Sequence, residues 1–144
     1  HIIEQVEPFM PKNKIRYLMG VGTPGNIING VKRGVDLFDC VMPSRNARHG
    51  HLNTWNGIIN LNNNKYAEDP SPIDSHCGCP VCKNYSRAYI RHVLKAKEVL
   101  GLRLCVMHNL YFYNELMRRI RLSLENDTFD DFYDEYAQKL DTRI

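Results

Sequence analysis

The sequence predicts an α/β protein whose strands run parallel, followed by a metal-binding cysteine cluster and helices. Three observations carry that expectation. Two short apolar runs, residues 16–22 (RYLMGVG) and 35–43 (VDLFDCVMP), are separated by one short helical pattern. Strand, helix, strand at that spacing is a βαβ unit, because parallel neighbours need a crossover connection. Cys77, Cys79 and Cys82 crowd into the six residues CGCPVC, a density that points to a metal site. From residue 84 onward, apolar residues recur at helical spacing.

Residues 1–14 carry two prolines and no clean period, and read as the trailing end of something upstream. The first strand runs into Gly20 and Gly22. Thr23 is placed to cap a helix and Pro24 to take its first position. Ile27, Ile28 and Val31 share one face, and Gly34 stops it. Val35 to Met42 reads as a buried strand, and PSRNARHG (43–50) as a basic loop closing on glycine. Two parallel strands alone cannot bury both faces. The unit therefore calls for more sheet, and the only later run that reads as a parallel strand is LRLCVM (102–107).

NTWNGIINL (53–61) alternates around Asn56-Gly57, a strong hairpin signal, and residues 62–75 are polar loop. Residues 84–100 form a helix with Ile90, Val93, Leu94 and Leu100 as its apolar stripe and Gly101 as its stop. Residues 109–125 form another, with Leu110, Tyr113, Leu116, Met117, Ile120 and Leu124 on one side and Arg118, Arg119 and Arg121 elsewhere. A last, acidic helix over 128–140 buries Phe129, Phe132, Tyr133 and Tyr136. The chain divides into residues 1–50, 51–108 and 109–144: strands with the basic loop, hairpin with the cysteine cluster and its helix, and C-terminal helices.

The 144 residues suit one domain with a real core. No apolar run approaches the roughly 20 residues of a membrane span, and there is no signal-peptide pattern, so a cytoplasmic protein without membrane contact is expected. Residues 125–144 hold seven acidic and two basic side chains, leaving 17 basic and nine acidic in the first 124. A basic body with an acidic tail suits a polyanion partner, RNA or DNA first. It suits a mildly basic domain with a solvated acidic helix equally well.

Five cysteines in a cytoplasmic chain argue against a disulfide framework. Structural zinc takes four S or N ligands in a tetrahedron, so C-x-C-x-x-C needs one more. His108, fixed at the start of a helix, is the preferred fourth ligand. His76 is adjacent but cramped, and Cys105 sits in an apolar run that suggests core. An iron–sulfur cluster or unliganded thiols are the alternatives to zinc. Four ligands leave no open position, so the ion is expected to be structural.

Asp39 stands inside an apolar run just before the basic segment, where it could simply cap a turn or pair with Arg45. The surrounding motifs add more. YLMGVGTP, RG-D-FDCVMP-RNAR-GH, C-C--C, YSRAY and HNL-FY--LM occur in order from Arg16 onward. This combination resembles the bacterial-type tRNA-guanine transglycosylases, also called queuine tRNA-ribosyltransferases.

The resemblance implies the C-terminal part of a (β/α)8 TIM barrel: its last two strands, an inserted zinc-binding subdomain and closing helices. It implies that the first six strands lie outside this sequence and that the chain alone is inactive. It makes Asp39 the nucleophile of a base exchange, in which guanine at the wobble position of a tRNA anticodon loop is replaced by a 7-deazaguanine through a covalent Asp-ribosyl intermediate. Arg45 and Arg48 then hold the RNA, while Tyr17, Met19 and Gly20 belong to the base pocket. Cys77, Cys79, Cys82 and His108 bind Zn2+, and the enzyme is a homodimer. The competing reading is a non-catalytic zinc-binding tRNA module or a silent partner subunit. Asp39 within an intact FDCVMP favours the enzyme.

Overall fold

Residues 2–144 are described by the computed structural model. A short helix α1 (Ile2–Val6) and a 3-10 turn (Glu7–Phe9) lead to strand β1 (Tyr17–Met19). Helix α2 (Pro24–Lys32) crosses to β2 (Leu37–Asp39). Its N-cap is Thr23, whose side chain accepts from the Asn26 amide at 3.2 Å. The strands pair in parallel with Tyr17 opposite Leu37, Leu18 opposite Phe38 and Met19 opposite Asp39, which is the expected βαβ unit. This sheet has two strands and does not close: no barrel is formed among the described residues.

Val35 is buried as expected, but β2 is not a buried strand. Tyr17, Met19 and Leu37 are 49%, 74% and 51% exposed, and Asp39 is exposed beside them. Successive side chains of a strand point to opposite faces. Phe38, on the other face, packs with the cluster that holds Ile27 and Ile28 of α2. Nothing in the described chain covers the face of residues 17, 19, 37 and 39.

Three further segments differ from expectation. PSRNARHG is not a loop: helix α3 spans Met42–Arg48. Pro43 suits a first helical turn, where the missing N–H costs nothing. Ala47 turns into the core, and Gly50 leaves the helix with φ +77°. The hairpin forms from β3 (His51–Thr54) and β4 (Gly57–Asn60), so its turn is Trp55-Asn56, one residue before the expected pair.

The third difference is Gly101. After the short helix α4 (Pro80–Asn84), helix α5 (Arg87–Lys95) is capped by Ser86 and ends before Lys97, which adopts φ +59°. Helix α6 then runs without a break from Val99 to Glu125. Gly101 lies inside α6, and LRLCVM is helix rather than strand. Gly101, Leu104, Cys105, His108, Asn109 and Phe112 are all buried, at spacings of three and four, which is the stripe of a helix. Gly101 is needed for packing: a Cβ there would stand 2.8 Å from the backbone nitrogen of Leu94. Gly101→Ala should therefore separate α5 from α6 and lower stability by about 1–3 kcal/mol, read as a lower urea midpoint with unchanged slope.

Helix α6 carries both cores. Its first half joins Leu52, Ile59, Ile73, Val81 and Ile90 in one cluster. Its second half joins Ile28, Trp55 and Leu140 in another, roofed by the half-buried aromatics of α7 (Phe129–Tyr136). The tail beyond α7 ties distant parts together. Asp141 accepts from the Thr23 hydroxyl (2.7 Å) and the Gly25 amide (3.0 Å), and Ile58 exchanges hydrogen bonds with Thr142 and Ile144.

Glu115 on α6 accepts from Arg118 at 2.6 Å and Arg119 at 3.1 Å, and Arg119 stacks 3.8 Å over the Trp55 ring. The hydrogen bond from Arg118, helped by Arg119, holds the Glu115 carboxyl at about 2. A depressed carboxylate stabilises the fold above its ordinary value of 4.5 and loses that contribution as pH falls through about 2. Glu115→Gln should thus be less stable than the parent at pH 7. The gap should close between these two values in urea titrations at stepped pH.

Candidate active site and metal centre

The cysteine segment is placed by Asp74. Its buried carboxylate accepts from the Trp55 and His76 amides, both at 2.8 Å. Cys79 is the N-cap of α4, its sulfur accepting from the Cys82 amide at 3.2 Å, and Pro80 starts the helix. One turn of helix brings Cys82 back beside Cys79. A Cβ on Gly78 would lie 3.0 Å from the Tyr111 hydroxyl, so the segment lies close against α6.

From α6, His108 points at all three sulfurs. Its Nδ1 stands 3.9, 3.6 and 3.4 Å from Sγ of Cys77, Cys79 and Cys82. All four donor atoms lie within 4.8 Å of one another. A tetrahedron with zinc-like bond lengths needs N···S separations of about 3.6 Å, so the donor set fits. The other ring nitrogen, Nε2, donates to the Asn53 carbonyl at 2.8 Å, which leaves Nδ1 free to act as a ligand.

The four groups also perturb one another electrostatically. Hydrogen bonds with Cys77 and Cys82 pull the Cys79 thiol far below its ordinary range, while Cys77 and Cys79 push Cys82 far above it. Burial pulls His108 down, but its contacts with Cys77 and Cys79 prevail and push it up to about 9. A divalent cation bound among these donors would favour the deprotonated thiolates and the neutral ring. His76 is not in the set: its side chain is 71% exposed and its Nδ1 lies 3.7 Å from Asp74. Cys105 is a core thiol pushed up to about 12 by burial.

Asp39 ends β2 on the open face. Its Oδ1 accepts from the Gly20 amide at 3.1 Å. The Asp39 carboxylate beside Tyr17 raises the phenol above its ordinary value. Gly20 has φ +75°, a conformation glycine adopts without strain. Tyr17, Met19, Gly20 and Asp39 are thus brought together. Asp39 forms no ion pair with Arg45 among the described residues. Arg45 and Arg48 lie three apart on α3 and are exposed. Arg48 donates from Nε to the Ser44 carbonyl at 3.3 Å, and the His49 ring to the Arg45 carbonyl at 2.8 Å.

A family model described as queuine tRNA-ribosyltransferase matches residues 1–142. The chain belongs to this family. It is 59% identical over 138 residues to the queuine tRNA-ribosyltransferase of Clostridium kluyveri, covering 96% of the chain and 37% of that protein. With the protein of the same name from Lachnospira eligens it shares 56% over 141 residues, 98% of the chain and 37% of the relative. The counterpart from Lachnoclostridium phytofermentans is 61% identical over 131 residues, 91% and 35%. The chain thus spans a little over a third of the length of these queuine tRNA-ribosyltransferases. Among the described residues, no helix is long and apolar enough to cross a membrane.

Sequence reasoning missed Asp74, Asn53 and Asn109. An acid three residues before the first cysteine is a usable signal for a support of the metal loop. Asn53 acts through its backbone carbonyl, and nothing in the spacing of Asn109 shows which way its amide turns.

Proposed function

We propose that this chain carries the nucleophile and RNA-gripping residues of a tRNA base exchange. The supporting observation is the carboxylate of Asp39. It stands at the C-terminal end of a parallel strand, on an uncovered face, in register with Met19, hydrogen-bonded to the Gly20 amide and close enough to Tyr17 to raise its phenol. Catalytic groups of parallel barrels occupy that end of the strands. We read β1 and β2 as the last two strands of such a barrel.

In the reaction, one Asp39 oxygen attacks C1′ of a guanosine in the anticodon loop. The C1′–N9 bond breaks, its electron pair leaving with guanine, and a ribosyl ester forms. A 7-deazaguanine then attacks C1′ through N9 from the vacated side and releases the carboxylate; the N9 proton it sheds balances the one the departing guanine takes up, and two inversions give retention. Arg45 and Arg48 grip phosphate or stack on splayed bases of the loop. Tyr17, Met19 and the Gly20 backbone line the base site. Cys77, Cys79, Cys82 and His108 hold zinc, which supplies a structural crosslink between the insertion and α6.

The protein works as a homodimer in the cytoplasm. The stacked pair Tyr85 and Tyr89, with centroids 5.4 Å apart beside the metal loop, supplies apolar contact surface, and sedimentation should show a dimer. The decisive experiment uses a complete protein of the relatives' length. Incubated with cognate tRNA and run under denaturing conditions, it should retain RNA covalently and release it when a 7-deazaguanine is added. RNA that never shifts on the gel would overturn the base-exchange reading.

A further inference from the structure

β3 is the outer strand of its hairpin. It pairs with β4 on one side, and on the other the backbone groups of His51 and Asn53 turn toward α6. Two adjacent side chains of α6 satisfy them. Asn109 Nδ2 donates to the His51 carbonyl at 3.1 Å, and its Oδ1 accepts from the Asn53 amide at 3.1 Å. His108 Nε2 donates to the Asn53 carbonyl at 2.8 Å. The second proton of Asn109 goes elsewhere, to the Pro43 carbonyl at 3.0 Å in the first turn of α3. Asn109 is fully buried, and both donors and the oxygen of its amide are used.

One turn of α6 thus faces two ways. His108 looks into the cysteine cluster, and its neighbour holds the helix that bears Arg45 and Arg48 and follows Asp39. We propose that Asn109 is a positioning residue coupling the metal centre to α3, so that filling the metal site sets the placement of both arginines. The inference rests on the metal reading above. A bound ion fixes the His108 ring at Nδ1 while Asn53 holds it at Nε2, and this pins the backbone from which Asn109 reaches Pro43. Without the ion one of those restraints is gone, and a buried amide with three directional bonds tolerates little displacement.

The test is hydrogen exchange read by mass spectrometry on the 144-residue chain loaded with zinc, before and after chelation. Chelation should speed exchange in residues 76–84 and also, by about tenfold, in residues 42–48, the scale of one lost buried hydrogen bond. Asn109→Asp keeps the acceptor for Asn53 and loses both donated bonds. With zinc still bound at one equivalent, it should exchange fast at 42–48 and slowly at 76–84. Chelation should then add nothing further at α3, the signature of a severed coupling.

If zinc binds and α3 of the parent chain ignores chelation, the coupling is overturned while the metal reading stands. If no zinc binds, both fall. The parent chain decides this even if the variant does not fold.

Discussion

Cys79→Ser is expected to strip the chain of its metal and to loosen α4, the 74–84 segment and the first core together. Cys79 is the buried cysteine of the cluster, the N-cap of α4, and part of the packed interior with Val81, Ile90 and Cys105. Serine keeps the cap but gives up the thiolate. Binding at structural zinc sites is worth about 10–16 kcal/mol in isolated fingers, far more than any single side-chain contact here. Metal analysis should fall from one ion per chain to none, and thermal unfolding should occur at markedly lower temperature. Chelation of the parent chain should give the same result. His76→Ala should change neither, since that ring faces solvent. Binding displaces protons from thiols and from the His108 ring, so affinity should drop as pH falls. Full metal content in Cys79→Ser would overturn the four-ligand assignment.

Asp39→Asn should abolish covalent capture of tRNA in a complete enzyme and lower base exchange by about 10⁴-fold or more, the usual scale for loss of a nucleophile. The amide is nearly the same size and can still accept from Gly20, so the strand end should hold its shape. RNA binding should survive, because on the proposed reading it rests on Arg45, Arg48 and other basic groups. Arg48→Ala should do the reverse. Binding should weaken, with the salt slope falling by about 0.7 for one lost phosphate contact, while the adduct still forms at saturating tRNA. A denaturing gel and a salt titration separate the two variants. An adduct in Asp39→Asn would place the nucleophile elsewhere.

Much of the site was legible because its signals are local. C-x-C-x-x-C, the strand–helix–strand spacing and the caps at Thr23 and Ser86 each depend on a few consecutive residues. The errors arose where a local signal served a distant purpose. Gly101 reads as a helix stop but permits a close approach to Leu94. PSRNAR reads as a loop, yet Ala47 gives α3 a buried face against α6. The apolar run of β2 reads as buried, because sequence registers that residues are apolar and not whether anything lies over them.

The sequence by itself determined the βαβ unit, the C-x-C-x-x-C cluster and the carboxylate at the strand end; it only preferred His108 over His76 and Cys105, and the fold is what brings His108 to the three sulfurs. The first three follow from residue type and spacing over a few consecutive residues. Only the tertiary structure decided that His108 turns Nδ1 inward while Asn53 holds Nε2, that Asn109 bridges β3 and α3, and that Asp74 supports the cysteine loop. The physical reason is the directionality of hydrogen bonds. The partners of Asn109 lie 56 to 66 residues away, and such a bond exists only after packing has brought both ends to within about 3 Å at the right angle. No periodicity along the chain records that orientation.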